Sequence, residues 1–270
     1  MARSNARARV RRLLEFAEAL PEPVSEDILS LGTEAVEPLV EILRDEPLAD
    51  VMAPGEGFPP VHAARLLARL GAPGAVSPLV RRLMQTEPGE LLYDTLLYAL
   101  GDFGPGAVPE ALGALALARD EDERLGLLCV LARSGHRDER ILAALLEQLQ
   151  GDVTQGAMNL SRYGDPRALP ALARKLDDYP VEEDNDDLFA NQTAIELASA
   201  IEGLGGRLDA AQRAKVERAQ RSRRRLSQVF QCVLDELHPP PRERPAPGEP
   251  CWCGSGRRYE ACHLDRDHGR

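Results

Sequence analysis

Aromatic residues are scarce: one Trp, five Phe and five Tyr make up 4% of 270 residues. Sheets draw heavily on Val, Ile, Tyr and Phe, so a chain dominated by Ala, Leu and Arg points to helices packed through small and aliphatic side chains. Long apolar runs are missing too. None approaches the roughly eighteen residues that a membrane-spanning helix needs, which predicts a soluble protein. A Gly-x-x-x-x-Gly-Lys-Ser/Thr phosphate loop is absent, so nucleotide binding of that type is not expected. Cysteine is sparse, with five residues. Three cluster near the carboxy end and two stand alone, which fits a reducing cytoplasm better than a disulfide scaffold. The first residues carry Arg3, Arg7, Arg9, Arg11 and Arg12 without the apolar block and small-residue cleavage site of a secretory signal. Val10, Leu13, Leu14, Phe16 and Leu20 read as the stripe of an opening structural helix in preference to a presequence.

The net charge of -11 hides an asymmetry. Residues 1–206 carry 19 Lys and Arg against 35 Asp and Glu, a net -16, whereas residues 207–270 carry 14 against 9, a net +5. Phosphate neutralisation needs clustered cations, so the acidic body is a poor general nucleic-acid binder. The basic tail stays eligible.

One phrase recurs along the body. It reads Leu31-Gly32 through Ala35-Val36 to Pro38-Leu39-Val40, and again Leu70-Gly71 through Ala75-Val76 to Pro78-Leu79-Val80. Later copies run from Leu100-Gly101 to Ala107-Val108-Pro109 and from Gly164 to Ala168-Leu169-Pro170, with Ser134-Gly135 and Arg137-Asp138 between them. Gly71, Gly104, Gly135 and Gly164 are spaced by 33, 31 and 29 residues, the length of two short helices and their connections. Each unit is expected to be a helical hairpin, with Gly ending one helix in the left-handed region and Pro or Asp opening the next. These phrases resemble HEAT-type repeats, most closely the short variant of the phycobilisome-lyase-like group, over about residues 30–206. The resemblance implies a right-handed α-solenoid; repeats of this kind serve many functions.

Two stretches break the period. Residues 47–60 are rich in Pro and Gly and predict a loop, and residues 177–187 hold seven acidic positions in eleven. The latter lack a glycine where a calcium loop turns and read as a solvated linker. Leu208 to Leu237 predicts one long helix. Its Arg218, Arg221, Arg223, Arg224 and Arg225 offer a phosphate or acidic-partner surface, or else a solvated face on a helix that caps the body through Val216 and Val229. Six of the thirteen residues from His238 to Pro250 are Pro. That segment is expected to be extended and semi-rigid. The organisation is therefore a repeat body at 1–206, an Arg-rich helix at 207–238, a linker at 239–250 and a compact tail at 251–270.

The tail reads Cys251-Trp252-Cys253-Gly254-Ser255-Gly256-Arg257-Arg258-Tyr259-Glu260-Ala261-Cys262-His263. Three thiolates and one imidazole make a four-ligand set suited to tetrahedral zinc, with iron(II) an alternative. All four positions are filled by the chain, which marks a structural rather than a catalytic ion. So short a segment buries too little to fold alone, and the metal is expected to supply its folding free energy. The tail resembles the SEC-C motif, the small zinc-binding element at the end of the translocase motor SecA and of many bacterial proteins. Trp252 stands where Pro is frequent and Ala261 where Lys is common.

The resemblance implies docking onto a protein or ribonucleoprotein partner. Trp252, Arg257, Arg258, Tyr259, Arg221, Arg224 and Arg225 are the candidate contact residues. The expected function is that of a non-enzymatic cytoplasmic adaptor. Two alternatives come from other classes: nucleic-acid or ribosome binding through the Arg-rich helix and the aromatic pair Trp252 and Tyr259, and a lyase-like enzyme in the repeat body. The last needs a cluster of nucleophile, acid and base, and the sequence offers no catalytic candidate and no small-molecule substrate. Cys129, Cys232, His62, His136, His238 and His268 read as ordinary residues without metal-ligand spacing.

Overall fold

The computed structural model describes residues 2–182, 191–237, 246, 248–251, 253 and 255–267, with side chains at 2–4, 225–237, 265 and 267 outside the description. The regular elements among the described residues are all helices, with no strand. The helices are α1 Ala2–Arg11, α2 Glu22–Leu29, α3 Val36–Arg44, α4 Pro59–Leu70, α5 Val76–Leu83, α6 Leu91–Asp102, α7 Val108–Leu115, α8 Glu121–Arg133, α9 Glu139–Gly151, α10 Val153–Tyr163, α11 Leu169–Asp178, α12 Gln192–Gly203, α13 Ala210–Leu237 and α14 Leu264–Asp267.

The recurring phrase folds the same way each time, and in more detail than its residues suggest. Gly71 and Gly164 end α4 and α10 with φ of 59° and 73°, in the left-handed region that L side chains rarely adopt. The following helix does not open at once. A single 3-10 turn intervenes at Gly32–Ala35, Pro73–Ala75, Gly104–Ala107 and Pro166–Ala168. Each turn ends on an alanine that is wholly buried: Ala35, Ala75, Ala107 and Ala168 are all 0% exposed. The turn is pressed into the core, so its last residue has to be small. Pro38, Pro78, Pro109 and Pro170 then stand in the first turn of the next helix, where the missing N–H would have had no intrahelical partner. Asp138 and Asp165 cap as expected: their carboxylates accept the backbone N–H of Arg140 at 2.8 Å and of Arg167 at 3.0 Å.

Packing follows chain order. α4 lies against α2, α3 and α6; α6 against α5 and α8; α8 against α7, α9 and α10; α10 against α9 and α12; and α12 against α11 and α13. On the other side α3 meets α1 and α5, and α5 meets α7. Among the described residues one continuous core runs from Val10 to Ala219, built of Leu, Ala, Val and Ile with only Tyr93 and Tyr163 as its buried aromatics. α8 is enclosed nearly all round, with every residue from Gly126 to Ala132 buried, as expected of a helix that is apolar on all faces. α9 and α10 meet at a tight corner. A Cβ on Gly156 would lie 2.5 Å from the Leu149 Cα, so the two backbones touch where only glycine fits.

The long basic helix is present as α13, beginning two residues later than expected. Its start is a reciprocal cap: Gln212 N donates to the Asp209 carboxylate at 2.8 Å and Asp209 N to the Gln212 side chain at 3.1 Å. Val216 and Ala219 are buried. Lys215 Nζ donates to the carbonyls of Leu176 at 2.9 Å and Tyr179 at 3.0 Å, and also to that of Asp177. These carbonyls end α11 and have no intrahelical donor. The first half of α13 is thereby locked to the body. The acidic stretch leaves the helix at Asp178, and the Asn191 amide clamps both backbone groups of Glu182, at 3.0 and 2.7 Å. Residues 183–190 and most of the Pro-rich linker, 238–245 and 247, lie outside the described residues. No helix among those described is long and apolar enough to cross a membrane.

Candidate metal centre

A miniature hairpin creates the tail site. Pro250 and Arg258 form an antiparallel bridge. It is flanked by Cys251 N donating to the Arg257 carbonyl and Tyr259 N to the Glu249 carbonyl, each at 2.8 Å. Gly256, with φ of 72°, supplies the reversal. A 3-10 turn at Tyr259–Ala261 follows, in which Cys262 N and His263 N donate to the Tyr259 carbonyl at 3.1 and 3.0 Å. The hairpin brings in Cys251 and Cys253, and the turn brings Cys262 and His263 up to meet them. Two elements of different kinds thus place four donors on one point.

The donor atoms of Cys251, Cys253, Cys262 and His263 all lie within 4.8 Å of one another. Cys251 Sγ is 3.2 Å from His263 Nδ1, Cys253 Sγ is 3.6 Å from Cys262 Sγ, and His263 Nδ1 is 3.3 Å from Cys262 Sγ. With thiolate bonds of about 2.3 Å, the edge of a regular tetrahedron is about 3.8 Å, and a shorter bond to nitrogen contracts the mixed edges. The spacing fits a single four-coordinate ion with no position left for water. Among the described residues this is the one group of three or more His, Cys, Asp or Glu able to hold a metal.

The sulfurs differ in surroundings. Cys251 is 5% exposed and Cys253 lies at the surface. Burial pushes the Cys251 thiol up to about 11. The hydroxyl and then the backbone N–H of Ser255 pull Cys253 down to about 6. Ser255 Oγ also lies 3.2 Å from Cys262 Sγ. Sequence reasoning gave Ser255 no role. Its signal was there in the small polar residue between two glycines, two positions after Cys253.

The candidate contact residues separate. Arg257 and Arg258 are exposed on the hairpin, and Arg258 reaches Glu260 at 3.9 Å. Arg221 and Arg224 are exposed on α13, with Arg221 4.0 Å from Glu217. The Arg225 side chain and Trp252 lie outside the described residues. Tyr259 requires a correction: at 1% exposed its ring is buried and offers no face on which a base can stack.

The residues read as ordinary include two with unforeseen partners. Cys129 is buried, as expected of a small core hydrophobe, yet its thiol donates to Asn159 Oδ1 at 3.6 Å. Asn159, wholly buried, in turn donates to Gln148 at 3.0 Å. His62 is 1% exposed, with Nε2 2.6 Å from the Ala17 carbonyl, and burial lowers its pKa.

No curated protein matches the chain. Residues 249–265 match the SEC-C motif, so the similarity covers the knuckle and its metal-ligand set.

Proposed function

We propose that this chain is a non-enzymatic bacterial adaptor of the cytoplasm: a right-handed solenoid of HEAT-like hairpins that holds one protein partner and presents a zinc knuckle to another. The observation that carries the reading is the closed donor set, four ligands from one short segment within 4.8 Å. An ion so enclosed organises a surface and leaves no place for a substrate. Zinc is the ion that three thiolates and an imidazole suit best, and iron(II) satisfies the same donors. The ordered contacts of α1 through α13, each with its near neighbours in the chain, support a stack of hairpins. A semi-rigid linker would hold the knuckle at an effective concentration of order mM relative to a partner on the body.

Elemental analysis of chain purified without chelators tests the ion, with one zinc per chain expected. Capture of partners from a bacterial lysate by the full chain and by a chain ending at residue 238 tests the docking role. Loss of a specific subset on truncation is expected, and an unchanged set overturns it. The exposed Arg257, Arg258, Arg221 and Arg224 favour an acidic or ribonucleoprotein surface of the secretion or translation machinery as the second partner. A steep salt dependence of RNA binding would identify the ribonucleoprotein case.

A further inference from the structure

The donor set is lopsided in its access to solvent. Cys251 is 5% exposed, with its sulfur 3.2 Å from His263 Nδ1, whereas Cys253 is at the surface and Cys262 half-buried, their sulfurs 3.6 Å apart. Approach by about 1.5 Å would bring that second pair to bonding distance. The turn between them can yield, because Ser255 and Gly256 are exposed and a Cβ on Gly256 would meet nothing within 4 Å. From this geometry we infer that Cys253 and Cys262 form an oxidative modification site: hydrogen peroxide joins them as a disulfide and expels the ion, disassembling the knuckle.

The step balances. The Cys253 thiolate attacks one peroxide oxygen, giving a sulfenic acid and releasing hydroxide. The Cys262 thiolate then attacks the sulfenic sulfur, forming the S–S bond and releasing a second hydroxide. Two thiolates lose two electrons, and one peroxide is reduced to two hydroxides. Cys251 and His263 are left as two ligands of four, too few to hold the ion. Tyr259 and Cys251 are buried outside the continuous core of the body among the described residues, and in so short a segment the bound ion supplies the folding free energy, which is lost when it leaves. A thiol reductant and fresh metal reverse the change.

The inference rests on the metal reading, and the experiment separates the two. Metal content of the full chain is measured first. Peroxide is then added in equimolar amount, ion release is followed with a chromogenic zinc chelator, and disulfides are mapped by peptide mass spectrometry. The expected result is one ion released per peroxide, with Cys253 joined to Cys262. Cys253→His keeps four donors and removes the reacting sulfur, and should slow release by at least about tenfold. The wild-type disulfide map decides the matter even if that variant does not fold. A bridge to Cys251, or metal retained in excess peroxide, overturns the inference alone. A chain that contains no metal at the first measurement overturns the knuckle reading and this inference with it.

Discussion

Tyr93 and His62 are buried polar side chains of opposite kinds. The Tyr93 hydroxyl is buried with no hydrogen-bond partner among the described residues, and its pKa is pushed up to about 12, first by burial and then by Cys129. Such a hydroxyl contributes nothing to offset its desolvation, so Tyr93→Phe should be neutral or stabilising by about 1 kcal/mol in denaturant unfolding. A clear loss would reveal a partner. The His62 Nε2–H donates to the Ala17 carbonyl, but burial disfavours the charged ring. Its folded pKa lies below the ordinary 6.5, so the unfolded chain binds the proton first as pH falls, and the stability it contributes above pH 6.5 is lost below it. The unfolding midpoint should decline between pH 7 and 5, and His62→Gln should flatten that decline. Carboxylates held low by arginine, such as Asp138 at about 2 beside Arg140, titrate only in stronger acid and leave this window clear.

At the scale of elements, two glycines test two kinds of constraint. Gly71 sits at φ 59° with open space around its missing side chain. Gly71→Ala should therefore lose only the cost of the left-handed backbone, about 1 kcal/mol. Gly156 has ordinary helical φ, but the Leu149 backbone lies where a Cβ would go. Gly156→Ala must push α9 from α10 and should lose about 3 kcal/mol. The two variants, compared by urea unfolding, separate conformation from contact. The repeat turns and the basic helix were readable in the sequence because capping and amphipathic spacing depend on neighbours a few residues away, whereas the intervening 3-10 turns were not foreseen. The Gly156 corner and the Asn159 network with Cys129 were not, because they depend on which face of α10 meets α8 and α9, a matter of long-range packing.

Across the whole molecule, the described residues of the continuous core run no further than Ala219, and Cys251 and Tyr259 are buried outside that cluster. Chelation should therefore leave the melting of the body and most helical circular dichroism unchanged. Proteolysis within 246–267 should accelerate, because this region holds only a single 3-10 turn and the four-residue α14 among its described residues. Concerted loss of body structure on chelation would show that the two depend on each other. The all-helical character and the four donors that converge in the tail were legible in composition and spacing alone, since a Cys-x-Cys pair followed by Cys-His carries its donors wherever the chain goes. Only the tertiary structure decided which sulfur is shielded and which meets solvent, that Tyr259 turns inward, and that Lys215 ties α13 to the end of α11. Burial and exposure belong to pairs of surfaces that meet in space, and local sequence does not specify which surfaces those are.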